Sequence, residues 1–334
     1  MVNLPFAKTK FVYFAKNHAI HRLPNETKSR ILRFCDLPTL MGLYCDPDWR
    51  ELVGVELSLC YNKMLGSFTP DPIAFRKMMA STNAVISGST ALHFLLREPS
   101  TWKPQDVDII AVEAGYDKML LFILSLPGAQ VVSDTLDETG GEEIDSHPYG
   151  GLRRLVKVHT NMAKFDVIES VGSIPYNTII HYWGTHVMNA ITADTILCAY
   201  PTLTLSQKVV QVRYAATGNP VAKYQERGFH VLDRRLQNLT LSHGCENSVL
   251  CSSRNRYFGD EDTLVVAVPG VVARAATDNV NANQGDRVSA WRIGGLACGT
   301  TNCYVSSSPR CQELTVMYED QKHVYDEISV MAMP

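Results

Sequence analysis

Apolar residues between 23 and 62 recur at helical intervals, with Ile31, Leu32, Leu37, Leu40, Leu43, Trp49, Leu52 and Val53 marking the period. Pro38, Asp46, Pro47 and Asp48 punctuate the stretch, and a Pro-Asp-Pro turn at 70–72 leads into a short helix over AFRKMMA. From Ala84 the period changes. AVISG reads as a short apolar strand, STALHFLLRE as a helix opening at Ser89, and DVDIIAVE as an alternating strand. GYDKMLLFILSL reads as a second helix and AQVVSD as another strand, before an acidic, glycine-containing loop over 134–151. LRRLVKVHT and AKFDVIES then read as two strands joined through Asn161-Met162, a hairpin.

This order predicts an α+β core at 81–175, a sheet covered largely on one face. An N-terminal helical segment (1–80) precedes it. A helical region (176–240), broken at Pro201 and Pro220, follows. The C-terminal region (241–334) carries short β-like runs such as TLVVAVPGVV and ELTVMY, with a polar loop from Asp278 to Ser289.

The composition, 46% hydrophobic and 19% charged over 334 residues, provides for a sizeable core. A net charge of −3 gives no global argument for a nucleic-acid or membrane partner. The N-terminal MVNLPFAKTKFVYFAK scatters lysines among apolar residues, unlike a secretory signal, and the apolar run Met119–Ala129 is too short to span a bilayer. The expectation is an intracellular chain, cytoplasmic or nuclear, whose nine cysteines are reduced thiols.

The chemistry concentrates in three places: Gly88-Ser89, Asp106-Val107-Asp108, and Asp166 within KFDVIE. Strand side chains alternate, so Asp106 and Asp108 point to one face, and a neighbouring strand can bring Asp166 to them. Carboxylates gathered on one face repel unless a cation sits among them, and Mg2+ or Mn2+ suits such oxygen donors. Gly88 lets backbone approach a ligand, while Ser89 opens a helix whose free N–H groups favour phosphate oxygens.

This constellation resembles the nucleotidyltransferase superfold, the polymerase-β-like enzymes. Its hallmark is Gly-Ser, then Asp-x-Asp, then a third acidic residue on a later strand. The phrasing VISGSTALHFLL…QDVDIIAV is also similar to uncharacterised nucleotidyltransferase-like proteins of fungi. The resemblance implies a nucleotidyltransferase-type mixed sheet that transfers a nucleotidyl group from a nucleoside triphosphate to a hydroxyl of protein, RNA or a small molecule. By the same resemblance Asp106, Asp108 and Asp166 would hold the metal, Asp166 would help activate the acceptor, and Gly88 and Ser89 would hold the triphosphate. The sixteen residues between Ser89 and Asp106 exceed the usual gap; Pro99 and Pro104 suggest a rigid connection.

Lys208, Arg213, Lys223, Arg227, Arg234 and Arg235 form a local basic excess, and the resemblance implies that such residues contact triphosphate or a polynucleotide, with Lys208 and Lys223 the candidates. The bland reading of each is a solvated helix face. Cys245, Cys251, Cys298, Cys303 and Cys311, with His243, lack the tight spacing of structural zinc sites and read as small buried hydrophobes. His181 and His186 read as core or surface histidines. The N-terminal LPNE…RIL…CDLPTLMGLY…WREL resembles an F-box at Leu23-Pro24, Ile31 and Trp49, which implies docking to a ubiquitin-ligase adaptor. The rival to an enzyme is therefore a non-catalytic binding protein or F-box-like adaptor; a helical cap packed on the sheet explains the same residues.

Overall fold

Aspartate and proline set where the N-terminal helices begin. The computed structural model describes residues 18–97, 102–138, 151–212, 220–232, 249–251, 254–269, 286–292 and 310–316, and for 18–19, 137–138, 286–290, 292 and 310–316 the backbone alone. Helices α1 (His18–His21) and α2 (Asn25–Leu32) come first. Asp36 caps α3 (Leu37–Tyr44) by accepting from the Thr39 N–H at 2.8 Å. Asp46 caps α4 (Pro47–Leu65) through the Asp48 N–H, and Asp71 caps α5 (Pro72–Thr82) through the N–H groups of Ile73 and Ala74. Each helix carries proline in its first turn, where the missing N–H costs no hydrogen bond.

The alternation expected after Ala84 is present: β1 (Val85–Ser87), α6 (Gly88–Leu96), β2 (Val107–Val112), α7 (Glu113–Leu124) and β3 (Gln130–Asp134). The loop expected at 134–151 is corrected at its start. Asp134 ends β3, accepts from the Leu136 N–H at 3.1 Å and opens a one-turn helix, α8 (Thr135–Glu138); residues 139–150 lie outside the described residues. Strands β4 (Leu152–His159) and β5 (Lys164–Ser170) form the expected antiparallel hairpin.

The helical expectation for 176–240 is also corrected. Short helices α9 (Tyr176–Ile179), α10 (Pro201–Leu205) and α11 (Pro220–Glu226) alternate with strands β6 (Asn189–Ile191), β7 (Thr195–Cys198), β8 (Lys208–Val210) and β9 (His230–Leu232). The reason is local: NAITADTILC is rich in β-branched residues, and Thr192 Oγ1 accepts from the N–H groups of Asp194 and Thr195 to turn the chain. Beyond them come β10 (Arg256–Tyr257), β11 (Leu264–Ala267), β12 (Asp286–Arg292) and β13 (Arg310–Val316). The polar stretch read as a loop to Ser289 thus turns into strand at Asp286, where β12 pairs with β13.

Eight strands form one mixed sheet in the order β11-β7-β6-β1-β2-β5-β4-β3. Within it β2 and β5 run parallel, and the other neighbours pair antiparallel. Val107, Ile109, Ala111, Phe165 and Val167 face a helical layer built from Trp49, Val53, Leu57, Tyr61, Phe75, Met79, Met119 and Ile123. The sheet is covered on its other face too, contrary to expectation. Ile110, Ile168 and Leu152 pack there with Ile179, Ile180, Met188, Tyr200 and Trp291. A second layer is possible because Ile110 and Ile168 follow Asp108 and Asp166 by two positions on the same faces.

The N-terminal helices belong to this core. The Tyr61 hydroxyl donates to the Thr192 carbonyl at 2.8 Å, Arg76 donates to the carbonyls of Ala193 and Val268, and Arg97 bonds Glu56 at 3.0 Å in a buried pair. Of the F-box-like positions, Trp49 is 2% exposed, Leu23 is half-buried and Ile31 is 39% exposed. No helix among the described residues is long and apolar enough to cross a membrane. Cys35, Cys45, Cys60 and Cys198 are free thiols. Cys251 is buried, as expected; Cys245, Cys298, Cys303 and His243 lie outside the described residues, as does the Cys311 side chain.

Candidate functional site

Register builds the site. Ser87 on β1 lies opposite Asp108 on β2, Asp108 opposite Asp166 on β5, and Asp166 opposite Lys157 on β4. Directly opposed residues project to the same face, so these four form a polar row across four strands. Ile110 and Ile168, two positions on, are already buried under the second layer. The row therefore lies where the apolar cover stops. Asp106, half-buried, precedes the first residue of β2, and its carbonyl accepts from Thr90 Oγ1 at 2.9 Å. That bond fastens the start of α6 to the start of β2.

Gly88 is required where it stands. Its φ is +60°, and a Cβ built on it would lie 1.8 Å from Asp108 Oδ2. The next side chain, Ser89, is buried, and its Oγ has no hydrogen-bond partner among the described residues. Unpaired buried hydroxyls are uncommon because the lost hydration is not repaid.

The electrostatics agree with the crowding. Burial raises the Asp108 pKa well above the ordinary carboxylate value, the charges of Asp106 and Asp166 raise it further, and Lys157 and Lys223 oppose them. Lys157 Nζ donates to Asp166 Oδ2 at 3.0 Å. Burial works against the Lys157 charge, but that bond and the charges of Asp166, Asp106 and Asp108 outweigh it and hold the ammonium above the usual lysine value. Tyr182 and Tyr224 border the row; burial raises both phenols, and Asp108 contributes to each.

Of the two lysines proposed for triphosphate contact, Lys223 is exposed on α11 and acts on Asp108. Lys208 is exposed on β8, in register with His230, and is not among the charges acting on Asp108. Arg227 lies over the rings of Trp102 and Tyr224, at 4.3 and 4.9 Å. Arg213, Arg234 and Arg235 lie outside the described residues, as does Pro99. Lys157 was missed in the sequence, although its signal was present: a hairpin turning at 160–163 places residue 157 opposite 166.

Asp106, Asp108 and Asp166 share a region without converging fully. The one His/Cys/Asp/Glu group among the described residues whose ligand atoms all lie within 4.8 Å of one another is His21, Asp46 and Asp48. Ordinary contacts explain that group: Asp46 caps α4, and the two His21 ring nitrogens face different carboxylates, at 3.0 and 3.8 Å. A separate cleft of about 270 Å³, lined by Asp36, Pro38, Leu95, Leu96, Leu205, Ser206 and Gln207, shares no residue with the carboxylate row.

His186 is the buried histidine of the region; His181 is half-buried. The His186 ring packs on Trp183, Tyr224 and Phe229 at 4.9, 4.2 and 5.1 Å, with both nitrogens unpartnered among the described residues. Burial, with Arg227 adding to it, pulls its pKa from 6.5 to about 3. The unfolded chain therefore takes the proton first as pH falls. The stability that neutral His186 contributes is complete above pH 6.5 and is lost as pH drops towards 3. Acid melts should lose on the order of a few kcal/mol across that window, and His186→Leu should flatten the decline. An unchanged pH profile in that variant would contradict the neutral, enclosed imidazole.

Comparisons with protein-family models, with curated proteins and with solved structures find no match for this chain.

Proposed function

We propose that the chain is a nucleotidyltransferase-type protein that binds a nucleoside triphosphate with Mg2+ or Mn2+ and transfers its nucleotidyl group to an acceptor hydroxyl. The observation that carries this reading is the turn Ser87-Gly88-Ser89, built against Asp108 with no room for a Cβ at Gly88 and an unpaired hydroxyl at Ser89. A strand leading into a helix start, with free N–H groups beside a carboxylate, suits a phosphate chain shared with a cation. The donor set fits a hard divalent ion: Asp106 and Asp108 would hold it, and Asp166 lies opposite Asp108 in the next strand. Bound there, the ion supplies positive charge against the phosphate oxygens.

The residues themselves have separable tasks. Ser89 Oγ and the first N–H groups of α6 bind phosphate oxygens, and Lys223 adds charge from α11. In the reaction the acceptor oxygen bonds to the α-phosphorus, the bond to the β-phosphate oxygen breaks, and pyrophosphate leaves with that electron pair. The hydroxyl proton passes to a carboxylate of the row.

A second reading, a binding protein without catalysis, is favoured by the Lys157–Asp166 ion pair, which occupies one of the carboxylates. Incubation with each labelled triphosphate and Mg2+ or Mn2+ separates the two. The enzyme reading expects a labelled product and pyrophosphate with at least one triphosphate. Triphosphate-induced thermal stabilisation without any product supports the binding reading, and neither effect would overturn both.

A further inference from the structure

The ion pair in the carboxylate row has a role of its own. We propose that Lys157 is a built-in cation that neutralises Asp166, so that the protein takes one divalent ion at Asp106 and Asp108 rather than two; this rests on the metal-dependent reading above.

The pairing is fixed by the sheet. Lys157 and Asp166 sit directly opposite each other on the hairpin strands β4 and β5, and their side chains meet at 3.0 Å. The Asp166 side chain is 18% exposed and that of Lys157 45%, so the contact is shielded on the carboxylate side while the lysine stem reaches it from the rim. Backbone register holds the partners, in contrast to a mobile surface ion pair. The carboxylate oxygens, for their part, do not gather into a ligand cage. Asp106, Asp108 and Asp166 lack the mutual approach within 4.8 Å that His21, Asp46 and Asp48 have.

Charge balance gives the same result. Three carboxylates and the Lys157 ammonium leave a formal charge of −2, which a single divalent ion neutralises; the exposed Lys223, acting on Asp108 from α11, lowers the need for a second ion further. A second ion would have to displace Lys157 from Asp166 and leave the ammonium facing two dications. Asp166 is thereby a positioning residue that holds Lys157 beside the row, and its oxygen is withheld from metal.

The test counts bound Mn2+ alone, by the loss of the free-ion EPR signal. The Asp106→Asn/Asp108→Asn double variant serves as the blank for ions held elsewhere. The full chain should bind one ion above that blank, and so should Asp166→Asn. Lys157→Gln frees Asp166 and should bind two; adding Asp166→Asn to it should return the count to one. Lys157→Arg keeps the charge and should stay at one, which separates the charge effect from any general loss of structure. Two ions on the unmodified chain, or one on Lys157→Gln, would overturn the inference and leave the metal-dependent reading standing. No ion above the blank would defeat that reading, and the inference with it.

Discussion

Asp108→Asn should abolish nucleotidyl transfer and at the same time stabilise the metal-free protein. The substitution keeps side-chain size and removes one charge from a row in which burial, Asp106 and Asp166 all raise the Asp108 pKa. A carboxyl whose pKa is raised on folding binds its proton more tightly in the native state. Its ionisation therefore costs stability progressively as pH climbs from the unfolded value of 3.8 through the folded one. At neutral pH asparagine escapes that cost, so the variant should melt higher than the unmodified protein in the presence of EDTA. Transfer should fall on the order of a thousandfold or more, as when a preorganised electrostatic contact to a transition state is lost. Ligand-induced stabilisation by metal and triphosphate should vanish with it. A variant that melts lower in EDTA and transfers normally would contradict both the electrostatics and the site.

Gly88→Ala should be damaging for a different reason. The new methyl group lands 1.8 Å from Asp108 Oδ2, at a residue whose φ is +60°. The left-handed backbone alone costs roughly 1–2 kcal/mol for a residue with a Cβ. Relieving the clash must move either Asp108 or the start of α6, and a displacement of about 1 Å can cost on the order of a hundredfold in rate. Ser89→Ala makes the control. It removes one hydroxyl but leaves the helix N–H groups, so triphosphate binding should weaken mildly, by about tenfold or less. Denaturant melts and transfer rates on the two variants check the contrast. Equal effects at the two positions would mean that the close approach of Gly88 to Asp108 has no functional consequence.

The alternation from Ala84 to Ser170 was legible because each strand there has a clear inside and outside: Val107, Ile109 and Ala111 against Asp108 and Ile110. Pro38, Asp46 and Pro47 were legible as breaks and Pro-Asp-Pro at 70–72 as a turn for similarly local reasons, but not the capping by Asp36, Asp46 and Asp71. What escaped depends on pairing at a distance. β11 joins the sheet by pairing with β7, more than sixty residues earlier, which no periodicity encodes. The cover on the second face comes from Ile179, Met188, Tyr200 and Trp291, brought together from separate short elements. At the site, the two-residue period grouped Asp106 with Asp108 in expectation but did not single out Lys157, because none of the basic residues Arg153, Arg154 and Lys157 in LRRLVKVHT carries by itself a marker of its partner. Hairpin register supplies that marker. Trp49, which carried part of the F-box resemblance, proved to be a core residue because α4 packs on the sheet.

The most direct test of the account is the position of Mn2+ in crystals grown with a non-hydrolysable nucleoside triphosphate, located by its anomalous scattering. The expected result is a peak at Asp106 and Asp108, beside the Ser89 end of α6. Phosphate density should lie against the first N–H groups of that helix. Mn2+ confined to His21, Asp46 and Asp48, or triphosphate bound away from Gly88 and Ser89, would contradict it.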